Sequence, residues 1–282
     1  MKSNGNDIKT GYALLDYDGF ICKSWFASKS KYHENSDPEI ILQKLVDAAI
    51  DKTREYYSLD EVIIIPFVSG HTYKKDIYPT YKETREKDED LSQFREYIIS
   101  EHLCCKSEQL EADDLIAITI SALKGTPYIV FSDDKDLTDV SESYCKINIQ
   151  SEVQDLGLPT NYISLMCRML AGDKEDDVKG LPGVGMKTAL KLIDTFPSVK
   201  NIFEIYKSKS IDIDNALKQV TLIAPTIREL NNNKEAFDML GELILYEQMD
   251  EDIVSEVIIG QVTYLNKIAR EVYNDGDTKD KD

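Results

Sequence analysis

Short apolar runs alternate with helical patterns along the first 150 residues, and nothing else in the sequence constrains the fold as much. YALLD (12–16) is apolar and closes on a carboxylate; EVIII (61–65) is β-branched; PYIVFS (127–132) is apolar again and runs straight into DDKD. KINIQ (146–150) predicts a further strand. Between these runs, Asp37-Pro38 opens a helical pattern through Tyr57, with Asp as N-cap and Pro at the first helical position. DLSQFREYIISEHL (90–103) and EADDLIAITISALK (111–124) predict two more helices. Strands separated by helices pair in parallel, so the pattern predicts an α/β fold with a mostly parallel central sheet and flanking helices. Carboxylates stand just after two of the strands, at Asp16 and at Asp133 to Asp136. Open sheets of this class hold their ligands there.

Beyond 160 the pattern turns helical. NYISLMCRMLAG leads to a glycine-rich hairpin, GLPGVG (180–185), then to MKTALKLIDTF. The expected organisation is an α/β core over 1–160, a helical region over 161–270 and a charged, mobile tail over 271–282. The polar stretch HTYKKDIYPTYKETREKDED (71–90) reads as exposed.

Composition bounds the function. The 282 residues carry 52 acidic against 33 basic side chains, a formal charge of −19, with 42% hydrophobic residues, enough to bury a core. The acidity argues against non-specific adhesion to nucleic acid, yet a carboxylate cluster built to hold divalent cations would itself add negative charge. No apolar run approaches the roughly 20 residues of a membrane helix, and MKSNGNDIKT is polar, so the expectation is a cytoplasmic protein that meets no membrane. Cys22, Cys104, Cys105, Cys145 and Cys167 form no CxxC pair and are expected reduced.

Four acidic clusters carry the chemistry: Asp16 with Asp18, Glu111-Ala112-Asp113-Asp114, Asp133-Asp134-Lys135-Asp136, and Asp173-Lys174-Glu175-Asp176-Asp177. Singly, each has a structural explanation, as helix N-terminal acids or turn residues. Together, two follow strands, one opens a helix and one precedes a glycine hairpin. Carboxylates so gathered repel unless cations hold them, and Mg²⁺ prefers oxygen ligands. Two such ions about 4 Å apart can clamp the attacking and leaving oxygens of a phosphodiester. The segment 74–87 sets five basic residues against three acidic ones, with Tyr73, Tyr78 and Tyr81 interleaved. It reads either as a solvated loop or as a surface where lysines meet phosphates and tyrosines stack on bases. GLPGVG reads either as a tight helix–helix turn or as a backbone that approaches phosphate closely, with Lys187 adding charge.

In order along the chain, these residues resemble the 5′ nuclease family of flap endonucleases and 5′→3′ exonucleases, including phage enzymes and the nuclease domain of some bacterial DNA polymerases. LLDYDGFICKSWFA resembles the family's opening strand and implies a metal role for Asp16, with Lys23 where the family usually has an arginine at the DNA. IYPTYKETR resembles the basic segment of its helical arch, near 71–103 here, and implies that Lys82 and Arg85 meet the substrate phosphate. EADD assigns Glu111, Asp113 and Asp114; SDDKDL resembles TGDKDL and assigns Asp134 and Asp136. GDKEDDVKGLPGVGMKTALKLI resembles GDSSDNIPGVPGIGEKTA, which implies metal roles for Asp173 and Asp176. It also implies a duplex-DNA and K⁺ site at Gly183, Gly185 and Lys187 in a helix-hairpin-helix-type region. The resemblance thus implies a PIN-like nuclease core, two Mg²⁺ or Mn²⁺ ions, and DNA with a 5′ flap or 5′ end, or an RNA–DNA hybrid, as substrate. The role it implies is removal of primers or flaps in replication.

The chain departs from the family at Tyr17 and Asp133, both glycine there, and at Asp177, which replaces Asn. It also departs at VIIIPFVSG, where Pro66 and Phe67 stand near the end of a strand that often carries a metal Asp. Two rivals follow. LLDYDG also resembles the hhhDxDG of haloacid-dehalogenase-like phosphatases, with Asp16 as nucleophile and Asp18 as acid/base, although this leaves EADD and GLPGVG without a role. The missing strand Asp suggests a structure-specific DNA-binding protein that has lost catalysis.

Overall fold

The computed structural model describes residues 8–30, 36–123, 125–134, 137, 141, 143–145, 162–193, 198–223 and 251–274. β1 (Thr10–Asp16), β2 (Glu61–Val68), β3 (Cys105–Lys106), β4 (Tyr128–Phe131) and β5 (Tyr144–Cys145) form a sheet in the order β3-β2-β1-β4-β5. Every pairing among them is parallel. The chain winds outward from β1 through β2 to β3, then crosses back to β4 on the other side of β1. The order therefore reverses between β1 and β4, which opens a crevice at their carboxyl ends.

The alternation of each strand supplies two apolar faces. Leu14, Ile65, Phe67 and Val130 pack with Leu110, Leu115, Ile116 and Ile118 of α5 (Ala112–Ala122) and the turn before it. Ala13, Leu15, Ile129 and Phe131 pack on the other face against α1 (Tyr17–Ser28), α2 (Pro38–Tyr57) and α4 (Glu89–Glu101). α2 begins where its cap signal places it: the Asp37 carboxylate accepts from the Glu39 N–H at 2.9 Å, and Pro38 is the first helical residue. Ile41, Leu42, Leu45, Val46 and Ala49 give it one buried stripe.

The helical half packs around its own cluster. Leu165, Met166 and Leu170 of helix Tyr162–Ala171 meet Phe203 and Tyr206 of helix Val199–Ser208, Val220 of helix Ile213–Ile223, and Leu265 of helix Glu251–Asn274. No helix among the described residues is long and apolar enough to cross a membrane.

Two expectations change, and one strand has no counterpart in the sequence pattern. The stretch 71–90 is only partly exposed: it folds as a short α3 (Lys74–Ile77) and a turn, and buries Tyr73, Lys74 and Tyr81. Tyr81 is covered because its ring belongs to the apolar cluster of the helical half, a contact that lies far away in sequence. β3 has only two residues, too short for a periodicity to reveal. The last helix runs to Asn274, past the expected start of the tail at 271. The KINIQ strand and the rest of the tail lie outside the described residues, while Tyr144-Cys145, just before KINIQ, forms β5. All five cysteines are free, and four of them are buried.

Candidate active site

β1 ends on Asp16, which caps α1: one carboxylate oxygen accepts from the Gly19 N–H at 3.3 Å. The other accepts from the Ser132 hydroxyl at 2.6 Å, across the crevice at the end of β4. Ser132 Oγ in turn accepts from the Asp134 N–H at 2.9 Å, so the β4 turn carries Asp134 to the same crevice. Burial pushes the Asp16 carboxyl up to about 7; the Ser132 hydroxyl opposes this, and the negative charges of Asp18 and Asp134 add to it. Asp136 lies outside the described residues.

The start of α5 carries the second group. Glu111 caps the helix, and Asp113 and Asp114 sit in its first turn, where the helix dipole favours acids. Ligand oxygens of the three lie within 4.8 Å of one another. The Asp114 carboxylate reaches back to accept from the Glu111 N–H at 3.2 Å, and so fixes their mutual orientation. Both Glu111 and Asp114 are buried.

Cationic side chains from 74–85 meet these acids. Lys74 Nζ, buried, lies 3.0 Å from Glu111 and 3.4 Å from Asp114. Burial works against its charge, but Asp114 and Glu111 outweigh this and hold its pKa well above the ordinary lysine value. Lys82 Nζ lies 2.5 Å from the other Glu111 oxygen and 3.8 Å from Asp176. Burial opposes the charge of Glu111 as well, yet Lys74 and Lys82 together bring its pKa down to about 2. The Tyr81 hydroxyl stands between Glu111 (3.0 Å) and Asp176 (3.2 Å), and Arg85 donates to Asp176 at 2.9 Å. Asp176 is thereby brought to the Glu111 group from the helical half. Asp173 is buried, 3.6 Å from Arg168.

Lys23 pairs with Asp133 at 2.5 Å. Gly183, Gly185 and Lys187 lie exposed on the hairpin before helix Met186–Leu192, and Gly183 has φ +74°.

Two features of the site are not legible in the sequence. Lys74 was visible only as one of five basic residues in a polar stretch, and nothing local marks it as buried. The other is a network at the end of β2. One Asp18 oxygen accepts from Arg95 Nε and the other from the Ser69 N–H, both at 2.7 Å. Arg95 also donates to the Ser69 carbonyl at 2.7 Å, and Ser69 Oγ accepts from the Ala112 N–H at 3.0 Å. This ties α1, α4 and β2 to the first residue of the helix that bears the acids. Phe67 is fully buried and stands in register with Asp16, so no acid is supplied from the end of β2.

The donors suit a hard divalent cation: Glu111, Asp113 and Asp114 offer carboxylate oxygens within 4.8 Å of one another at the start of α5.

Such a site, beside a parallel sheet with a reversal point and with two lysines on its carboxylates and an arginine on the neighbouring Asp176, fits a metal-dependent nuclease of the α/β class. The chain belongs to the 5′-3′ exonuclease family: the N-terminal resolvase-like domain of that family matches residues 11–158, and its C-terminal SAM fold matches residues 159–250. A 5′-3′ exonuclease of Buchnera aphidicola subsp. Acyrthosiphon pisum is 29% identical over 250 residues, 82% of this chain and 84% of the relative. Flap endonuclease Xni of Shewanella sediminis is 27% identical over 56% of this chain and 68% of its own length. The structure of T5 5′-exonuclease with divalent zinc ions bound superposes with a TM-score of 0.55 at 16% identity, over 92% of this chain and 99% of that one. At that identity the likeness is one of fold.

Proposed function

We propose that this chain is a divalent-metal-dependent 5′ nuclease that hydrolyses phosphodiesters at 5′ ends and flaps of DNA, and at RNA primers paired to DNA during replication in the cytoplasm. The observation that carries this reading is the convergence of Lys82 and Arg85 on the Glu111 and Asp176 carboxylates. A phosphodiester bound there would meet both the cations and the metal-holding acids.

Asp16, Glu111, Asp113, Asp114, Asp134, Asp136, Asp173 and Asp176 would hold Mg²⁺, with Mn²⁺ as a substitute, as two ions. Bound divalent ions supply Lewis acidity at the phosphoryl oxygens and lower the pKa of attacking water. The chain's own residues do the rest. Lys82 and Arg85 leave their carboxylates for the substrate and neutralise charge that builds on the reacting phosphate. Gly183, Gly185 and Lys187 meet the duplex, with K⁺ at the hairpin, and Lys23 exchanges Asp133 for a nearby phosphate.

The phosphatase reading is disfavoured at Asp18. Its two oxygens are engaged by Arg95 and the Ser69 N–H, so it is poorly free to move protons as an acid/base. The test is a product ladder from a 5′-labelled flap with magnesium and with EDTA. Short 5′ products that appear only with magnesium support the nuclease; an intact flap in both lanes overturns it.

A further inference from the structure

Lys82 lies on a turn and Arg85 just after it, neither on a helix or strand, and Lys82 has φ +55°, a conformation a lysine adopts only when its surroundings impose it. What imposes it comes from the other half of the chain. Residues 173–178 form a tight loop, closed by reciprocal backbone bonds between Asp173 and Val178 at 2.8 and 2.7 Å. From this loop the Asp176 carbonyl accepts from the Lys82 N–H at 3.2 Å. The Asp177 carboxylate accepts from the Thr84 N–H at 3.1 Å and from the Thr84 hydroxyl at 3.1 and 3.0 Å. Asp177 is itself left-handed, with φ +59°. Thr84 lies two residues after Lys82 and one before Arg85, so a clamp on its main chain and side chain fixes the stretch that carries both cations.

We propose that Asp177 is a positioning residue: its carboxylate bonds Thr84 rather than Lys82 or Arg85, and it acts by holding Thr84 so that Lys82 and Arg85 stay within side-chain reach of the reacting phosphate. This rests on the nuclease reading above. With the backbone pinned, the two side chains can exchange carboxylate for phosphate while their Cα atoms stay in place. That is the kind of pre-paid ordering that speeds a reaction step. Asn at this position would keep one carbonyl acceptor for the Thr84 N–H and the tolerance for positive φ. Gly would keep the backbone conformation and remove the clamp.

The experiment compares wild type with Asp177→Gly and Asp177→Asn in two measurements. In single-turnover cleavage of a 5′-labelled flap with magnesium and saturating enzyme, the Gly variant should fall by roughly 10- to 100-fold, the scale expected of a misplaced reacting group. Its affinity for the flap should stay within about twofold and the Asn variant should stay near wild type, since a clamp lost and a clamp kept differ only in this orientation. In tryptic digestion without DNA, the bonds after Lys82 and Arg85 should open faster in the Gly variant alone, with the rest of the pattern unchanged. A Gly variant that cleaves and digests like wild type overturns the proposal, and so does an Asn variant as slow as Gly. If wild type cleaves no 5′-ended substrate, the nuclease reading and the catalytic part of this proposal fall together. The digestion then still decides whether Asp177 holds the segment.

Discussion

Asp16 and Phe67 are paired across parallel strands, and parallel partners point their side chains to the same face. Phe67 accordingly shares its apolar cluster with Leu14 and Ile65, the neighbours of Asp16 on that face, while Pro66 pairs with Leu15 and points to the other. The sequence alone could not choose between Pro66 and Phe67 as the place of the absent acid, because register is a property of two strands. With the register known, Phe67→Asp should lower the magnesium concentration for half-maximal cleavage and Pro66→Asp should not. Wild type should work better in manganese, which binds such ligand sets more tightly than magnesium. Phe67→Asp removes a buried ring, so its melting must be followed first; an unchanged metal requirement in a folded variant rejects the idea. Asp16 makes a second prediction. Its pKa rises on folding from 3.8 to about 7, so the folded chain keeps a proton that the unfolded chain has lost. Stability must then fall as pH rises between those values. Glu111, held down to about 2, has its own window below 4.5 and does not interfere. Thermal melts in EDTA should therefore show wild type losing stability from about pH 5 to about pH 7, and Asp16→Asn losing less. Parallel melting curves for the two proteins would contradict the burial of this carboxyl.

At the scale of elements, caps and periodicity were the readable part. The start of α2, the carboxylate at the end of β1 and the acids in the first turn of α5 all follow from local signals, because caps and strand ends depend on adjacent residues. The burial of Tyr81 was not readable, since it is decided by helices more than eighty residues further on, nor was that of Lys74, whose buried partners are Glu111 and Asp114. Glycines divide in the same way. GLPGVG is visible as a turn, but the separate demands on its glycines are not. Gly180, φ +65°, has no room: a Cβ there would stand 2.3 Å from the Ala171 backbone carbon, where the chain on either side of the acidic loop comes together. Gly183, φ +74°, faces open space, so a side chain there meets only the backbone penalty, about 1–2 kcal/mol. Gly180→Ala should consequently lower the melting temperature markedly. Gly183→Val should lower it little, and should weaken binding to duplex-containing substrates more than to a short single strand. Equal melting of the two variants, or equal loss by Gly183→Val on both substrates, would contradict this division.

At the scale of the whole molecule, the 74–85 stretch joins the two halves. Tyr81 packs into the helical cluster while its hydroxyl meets Glu111 of the α/β half, and Lys74 sits beneath it on Glu111 and Asp114. Lys74 is 4% exposed, so its ion pairs are scarcely screened by solvent. A buried pair is not stabilising by its mere presence, because desolvation offsets attraction; removing one partner is what costs, since the other charge is left buried. Lys74→Met keeps the length of the side chain and deletes its charge, which takes one buried ion-pair partner from both Glu111 and Asp114 and leaves Glu111 to Lys82 and Tyr81. The expected loss in metal-free protein is roughly 3–5 kcal/mol. Lys74→Met combined with Glu111→Gln should recover part of that loss, because the stranded charge is reduced, even though Glu111→Gln removes a proposed ligand. Magnesium should also raise the melting temperature of Lys74→Met more than that of wild type, since a divalent ion can replace the missing cation at Glu111 and Asp114. Denaturant melts in EDTA and in magnesium read all three quantities. If Lys74→Met is as stable as wild type in EDTA, the lysine does not serve as the internal counter-ion of the site. If it is destabilised but the Glu111→Gln combination recovers nothing, the loss comes from packing and the electrostatic account of this junction fails.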